Sequence, residues 1–406
     1  KLLAAIAGLD VAHVRQALST TEGHGLIRVV DEEDGRPRVV FRHPNIRDAL
    51  LQRLDEKSEL PKWHKTCAAV LEERSKGNID AIAETLAHHY EAAGDVKKSV
   101  QMFFVAAEHG VATFAFDDAI ALGRRALRVL QKQGADPALL ARADLVVGKA
   151  MFLAGHTADA RAFLEGAVTR PDAESAADAL GEMHVWLSRA MAALGQYDAG
   201  LKSVDRAIGV LKPSEHPVAV ARLLVARGEL RLRSDPAAAL ADASKALELW
   251  KSKPGVDDAL RLDDLVTAAA LAAGKPKRAL DAAQKRVALA QKEGRVLDEI
   301  PARRRLAEAL TANRERLEAR QNLNLALDLA KKAGHRVEEA LLMKALGDQL
   351  HMSGAHSEAI ARYQRAATLF AQLSRITDRA ESLQCIGRCY FGKGDYDRAL
   401  DHLRAA

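Results

Sequence analysis

Turn-forming or small residues recur along this chain at a nearly constant interval, and that interval limits the fold more than any other feature. Gly155, Gly195, Ser234, Gly274, Asn313, Gly354 and Gly394 follow one another at spacings of 40, 39, 40, 39, 41 and 40 residues, each between two helical patterns. A fixed period of this size marks stacked supersecondary units, none of which buries its apolar face alone. Gly94 opens the series 61 residues before Gly155, about one and a half periods, which leaves room for a short, irregular hairpin around Phe114–Phe116.

Aligning the units on their turn residues explains the period. Five residues after the turn stand Ser99, Ala160, Gly200, Ala239, Ala279, Glu318, Ala359 and Ala399, and twelve after it Ala106, Ala167, Ala207, Ala246, Arg286, Leu325, Ala366 and Ala406. Seven residues before it stand Ala87, Gly148, Ser188, Arg227, Thr267, Leu306, Gly347 and Gly387. Small side chains at these places let two antiparallel helices, and then neighbouring hairpins, approach closely. The Asn313 unit fits with a loop one residue longer, which brings Ala319 and Ala326 into place, and the Ser234 unit with a loop one residue shorter, which brings in Gly228.

Composition agrees. Charged residues make up 28% of the 406 and aromatics only 4%, a balance that suits many medium helices and suits a β-sandwich poorly. A net charge of +5 set against 55 acidic residues is no nucleic-acid signature. Three cysteines, Cys67, Cys385 and Cys389, form no secreted disulfide framework. No apolar run is long enough to cross a membrane, and a cytoplasmic location is expected. The chain starts at Lys1 and stops at Ala406, each within a helical pattern, so a piece of a larger protein is expected.

The segments LQCIGRCYFGKGDYDRALDHLRAA (383–406) and LMKALGDQLHMSGAHSEAIARYQRAATLF (342–370) resemble tetratricopeptide repeats. Their period near 40 is similar to the longer-helix variant found in bacterial signalling ATPases. The resemblance implies an all-α, right-handed tetratricopeptide-type superhelix of about 40-residue hairpins spanning residues 136–406, the last repeat truncated, with linker helices and irregular hairpins at 61–135.

Residues 1–60 read differently. A helix over Asp10–Thr20 precedes an apolar run Leu26–Val30, an acidic turn DEEDGRP (31–37) and a second run Val39–Phe41. Asp34-Gly35 gives a β-hairpin turn, and a further helix begins at Pro44. This order resembles a partial winged-helix domain. With FRHPNIRDALLQRL (41–54), WHKTCAAVLEE (63–73) and IAETLAHHYEAAGDVKKSVQMFFVAAEHG (82–110), it is similar to the junction between ATPase module and repeat array in bacterial STAND-type regulators. Many such proteins carry a serine/threonine kinase domain upstream. The resemblance implies a sensor scaffold that relays to an upstream ATPase or kinase module, or the regulatory half of an ATP-dependent kinase or transcription regulator whose catalytic part lies elsewhere. DNA binding is not expected, since DVAHVRQALSTT (10–21) offers one Arg and one Gln and the wing is acidic.

No catalytic, cofactor or metal motif stands out. Lys149, Lys275 and Lys393 follow a Gly, but none is followed by Ser or Thr, so the phosphate-cradling loop is missing, as are the kinase signatures. His88-His89 point about 100° apart on a helix and cannot chelate one metal together. Cys385 and Cys389 lie one turn apart with no further ligand near in sequence, and read as core. The basic stretch 301–321 reads as a solvated face, and Trp63, Trp186 and Trp250 as core or inter-repeat fillers.

The repeat resemblance places the first helix of each hairpin on a concave groove. Groove positions are Arg142, Leu145, Lys149, Phe152, Glu182, Val185, Arg189 and Ala192, then Arg222, Arg261, Asp264, Arg303, Lys344, Asp348, His351, Glu381, Gln384 and Arg388. The partner-binding candidates are the bases among them: Arg142, Lys149, Arg189, Arg222, Arg261, Arg303, Lys344 and Arg388. The partner expected is a protein or peptide, acidic or drawn from the parent itself, with neither membrane nor nucleic acid involved.

Overall fold

The structure is a computed structural model that describes residues 1–31, 37–75, 77–132, 136–170, 176–251 and 253–406. Helices account for 80% of it. The chain divides into two compact units, Lys1–Gln196 and Tyr197–Ala406.

The first unit opens with α1 (Leu2–Ala7) and α2 (Val11–Gly23), an antiparallel pair β1 (Ile27–Asp31) and β2 (Pro37–Phe41), and α3 (Pro44–Glu56). Ile27 faces Phe41 and Val29 faces Val39 across the hairpin. The expected helix–hairpin–helix order is thus present, with α1 ahead of it; Asp34-Gly35 of its turn lies outside the described residues. Asp10 caps α2 by accepting from the His13 N–H at 2.8 Å, and Pro44 starts α3.

Seven further α-helices follow among the described residues: α4 (Leu60–Arg74), α5 (Ala83–Ala92), α6 (Val96–Ala112), α7 (Phe116–Lys132), α8 (Pro137–Leu153), α9 (Thr157–Val168) and α10 (Ala177–Ala193). Phe103, Phe104, Leu130, Leu164 and Met183 are fully or nearly fully buried among them. The 61-residue gap does not hold a short irregular hairpin. It holds an extra full helix, α7, of 17 residues, entered through a left-handed turn at Phe114 (φ 63°). Sequence spacing showed the half period; an aromatic at a left-handed position concealed the turn.

The second unit runs α11 (Tyr197–Val210), α12 (Pro217–Arg231), α13 (Pro236–Leu249), α14 (Val256–Ala272), α15 (Pro276–Lys292), α16 (Val296–Ala312), α17 (Arg316–Lys332), α18 (Arg336–Met352), α19 (His356–Gln372), α20 (Ile376–Gly392) and α21 (Tyr396–Arg404). From α14 to α20 every helix has 17 residues, and each is followed by a three-residue turn. The 40-residue period is therefore two identical half periods. Its left-handed residues are Gly274, Gly294, Arg314, Gly334, Gly354, Ser374 and Gly394, one every 20 positions. At each, the chain closes with a pair of bonds such as Gly274 N–H to Leu271 O (3.1 Å) and Lys275 N–H to Ala270 O (2.8 Å). The alignment on Asn313 was one residue early: the left-handed residue is Arg314, and Ala319 and Ala326 are fully buried while Leu325 is 51% exposed.

Small residues seven before the turns prove to be contact points. A Cβ on Gly347 would lie 2.7 Å from the Tyr363 ring, and on Gly228 2.7 Å from Leu265 Cδ2. At the far end of this unit Leu400 and Leu403 on α21 stay half exposed. Amide exchange is expected to be faster over 396–404 than over 219–230, where Ala219, Leu223, Val225 and Leu230 are buried. Equal protection in hydrogen-exchange mass spectrometry would show that something covers α21.

Candidate functional site: the first-helix face

In both units the candidate bases project from the first helix of a hairpin, and four of the eight, Arg142, Arg222, Arg261 and Lys344, reach an acid on an adjacent repeat. In the first unit Arg142 on α8 donates to Glu108 on α6 at 2.8 Å; off this helix row, Arg125 on α7, which is not one of the candidates, donates to Glu91 on α5 at 2.9 Å. In the second, Arg222 on α12 donates to Asp258 on α14 (3.0 Å), and Arg261 on α14 returns to Glu229 on α12 (3.2 Å). Lys344 on α18 pairs with Glu381 on α20. Arg303 bonds Glu299 (2.7 Å) and Asn322 (3.0 Å), while Arg388 donates to the Cys385 sulfur at 2.9 Å. Such pairs between partly exposed groups contribute little individually, about 0–1 kcal/mol. Their geometric effect is larger: the pairs of Arg142, Arg222, Arg261 and Lys344 tie one first helix to the next within each unit and offset the positive charge of those four residues.

Lys149 and Arg189 differ in setting. Both cations lie over the half-buried Trp186 indole, Lys149 Nζ at 5.6 Å and the Arg189 guanidinium at 4.8 Å from its centroid. Phe152 adds a tilted ring 5.7 Å away. This cluster spans α8 and α10, the first helices of successive hairpins in the first unit. Among the other groove positions, Val185 is only 1% exposed and is core, whereas Arg142 reaches the surface.

Two further expectations change. Trp63 is 41% exposed and fills no core, while Trp250 is buried. The basic stretch 301–321 is not merely a solvated face. Arg304 spans from α16 to Glu338 on α18 at 3.0 Å, and Arg305 lies 3.4 Å from Asp264 on α14, so the stretch stitches three repeats together. The sequence signal for this was present in the acids one repeat away, but pairing across 34 or more residues cannot be read without the fold.

Asp263, beside Asp264 on α14, is held by burial well above its ordinary value of 3.8, at about 6, although Lys285 and Arg286 oppose the shift. The folded state therefore holds this proton more tightly than the unfolded state. Stability falls as pH rises from about 4 to 6, and the cost is complete above that. Asp263→Asn is expected to raise the thermal midpoint at pH 7.5 and to change it little at pH 4; equal effects at both would mean that the carboxyl is solvated.

Beside the first-unit hairpin, Phe41, Arg47, Leu50, Leu51 and Leu54 line an open apolar cleft of about 310 Å³. No described helix is long and apolar enough to cross a membrane.

No family model matches this sequence. A curated relative, the Tonsoku-like protein of Drosophila melanogaster, is 28% identical over 74 residues, 18% of this chain. The chain spans only about 5% of that relative's length. Among solved structures, a STAND protein with a tetratricopeptide repeat sensor from Pyrococcus horikoshii matches 96% of this chain and 57% of its own, with TM-score 0.60 and 14% identity. The apo quorum sensor NprR of B. thuringiensis matches 82% of this chain and 98% of its own (TM-score 0.57, 13% identity). A Rap protein complexed with competence and sporulation factor matches 76% and 86% (TM-score 0.57, 13% identity). With its 20-residue half periods and buried small-residue contacts, this chain has the all-α fold of tetratricopeptide-like helical-repeat proteins.

Proposed function

We propose that this chain is a protein-interaction scaffold that binds an acidic protein or peptide segment along its first-helix face. The observation that carries the reading is the Lys149–Trp186–Arg189 cluster, two cations over one indole, contributed by adjacent first helices. Such a surface takes a carboxylate next to an apolar side chain, with the indole as the anchor and the cations as the orienting groups. Arg142 extends this face within the first unit, and Arg222, Arg261, Arg303, Lys344 and Arg388 make a separate row within the second. Intramolecular partners compete with a ligand's carboxylates on this face, so its charges supply steering and selectivity more than affinity. The Rap and NprR likenesses support a peptide-sized or protein ligand.

The same reading makes the chain the sensor part of a larger regulator. Residues 1–60 act as a winged-helix remnant that passes the bound state to an ATPase or serine/threonine kinase module, which packs on the cleft at Phe41, Leu50 and Leu51. The match of 96% of this chain to a STAND protein's chain supports that arrangement. In this scheme the chain itself does no chemistry, and ligand acts by its differential affinity for two states of the whole protein.

Selection of random displayed peptides on the immobilised chain tests the binding face. Enriched peptides should be rich in Asp and Glu, and their association should slow as salt rises. The Lys149→Glu, Arg189→Glu variant should bind them at least tenfold more weakly, with a flatter salt dependence and an unchanged circular dichroism spectrum. Peptides without acidic enrichment, or binding indifferent to both salt and reversal, would discard this face as the site.

A further inference from the structure

Within the second unit, three ligand-type side chains from three consecutive helices converge where the sequence shows no motif. His351 lies in the last turn of α18, His356 is the first residue of α19, and Cys389 is on α20. His351 Nδ1 is 3.2 Å from His356 Nδ1 and 3.3 Å from Cys389 Sγ, and the three donor atoms lie within 4.8 Å of one another. The thiol is fully buried, and both rings are half buried.

Hydrogen bonding accounts poorly for this convergence. One imidazole nitrogen has a single in-plane lone pair or a single hydrogen, yet two partners approach His351 Nδ1. A tetrahedral zinc ion, about 2.0–2.1 Å from nitrogen and about 2.3 Å from sulfur, sets its donor atoms about 3.3–3.6 Å apart. The two observed separations are close to that edge length. The backbone also makes room: a Cβ on Gly392 would lie 3.1 Å from His356 Cε1 and Nε2, so glycine there lets the ring lie against α20.

Charge around the cluster is mixed. Arg388 adjoins Cys389 but is turned to the Cys385 sulfur, while Asp348, one turn before His351, accepts from Tyr363 Oη at 2.6 Å. Burial raises the Cys389 thiol to about 11, so an ion must displace its proton.

We propose that His351, His356 and Cys389 bind a borderline-soft divalent cation, zinc by ligand type, which clips three consecutive helices of the repeat array together. Two imidazoles and a thiolate fill three tetrahedral positions, and the fourth falls to solvent. This site does not depend on the binding face proposed above.

Cobalt(II) titration of the reduced 406-residue chain is the test, with zinc as competitor. One equivalent should bring up a thiolate-to-cobalt charge-transfer band and the visible bands of a tetrahedral ion, and zinc should erase both. The spectrum should vanish in Cys389→Ser and in His356→Gln, and persist in Cys67→Ser and Cys385→Ser. His356→Gln alters a half-exposed ring at a helix start, so it decides the matter even if Cys389→Ser fails to fold. Absence of the thiolate band in the wild-type chain, or its survival in His356→Gln, would overturn the proposal and leave a hydrogen-bonded cluster.

Discussion

Asp242→Ala should be the most damaging single charge removal in the second unit, with an expected loss of about 3–5 kcal/mol. Asp242 on α13 is almost fully buried and accepts from Arg227 Nη2 at 2.6 Å, Arg227 Nε at 3.0 Å and Arg231 Nη1 at 3.0 Å. Arg227 donates a further bond to Asp205 on α11 at 2.9 Å, so a single carboxylate joins α12 to α13 and supports the link to α11. Removing it leaves the Arg227 guanidinium, 15% exposed, without its main partner. Arg231, 30% exposed, can turn to water and adds less to the loss. Replacing both members of the pair with apolar residues, as in Arg227→Met with Asp242→Leu, should recover much of the stability, because the cost lies in the stranded charge. Thermal unfolding and hydrogen exchange across 217–249 measure both variants. A loss below about 1 kcal/mol for Asp242→Ala would show that water reaches the network.

Glycine-to-alanine changes should go in opposite directions at two helical positions. Gly347→Ala gains up to about 1 kcal/mol of helix propensity. Its new methyl, however, would stand 2.7–3.0 Å from three carbons of the Tyr363 ring. Tyr363 is 1% exposed and its hydroxyl is bonded to Asp348, so the ring cannot swing away without breaking that bond. Overpacking of this kind costs about 1–3 kcal/mol and prevails over propensity. Gly166 on α9 faces open space, and there the same substitution should stabilise by up to about 1 kcal/mol. Urea midpoints of the two variants against the parent give the comparison. If Gly347→Ala matches Gly166→Ala in sign, the α18–α19 contact is looser than the structure places it.

The repeat itself was legible because its causes are local. Glycine at a left-handed turn, alanine at a close helix contact and apolar residues at helical spacing each leave a mark at a fixed offset, and the offsets recur. The half period was harder to see. Two of its turns place Arg314 and Ser374 in the left-handed region, where no glycine marks them, so the sequence pattern shows 40 residues where the backbone repeats every 20. The same cause hid the entry to α7 at Phe114.

The first-helix row was legible as a list of positions and illegible as an electrostatic surface. Arg142, Arg222, Arg261 and Lys344 were placed on one helical face by their offset from the turn. That their carboxylate partners stand 32 to 37 residues away, on neighbouring repeats, follows only from stacking. Lys149 and Arg189 look like the rest of the row in sequence, and only the position of Trp186 between two first helices separates them from it. The cysteine pair Cys385 and Cys389 drew attention as neighbours one turn apart, yet the structure turns Cys385 to Arg388 and Cys389 to a histidine 38 residues before it.

By itself, then, the sequence determined the helical class, the repeat length, the small-residue contacts and the β-hairpin near the start, because helix periodicity and turn chemistry are set within a few residues. The tertiary structure alone decided which charges are neutralised, which aromatics are exposed and which histidines meet a thiol. Those outcomes depend on distances between side chains a full repeat apart, and stacking fixes such distances only after the local elements have formed.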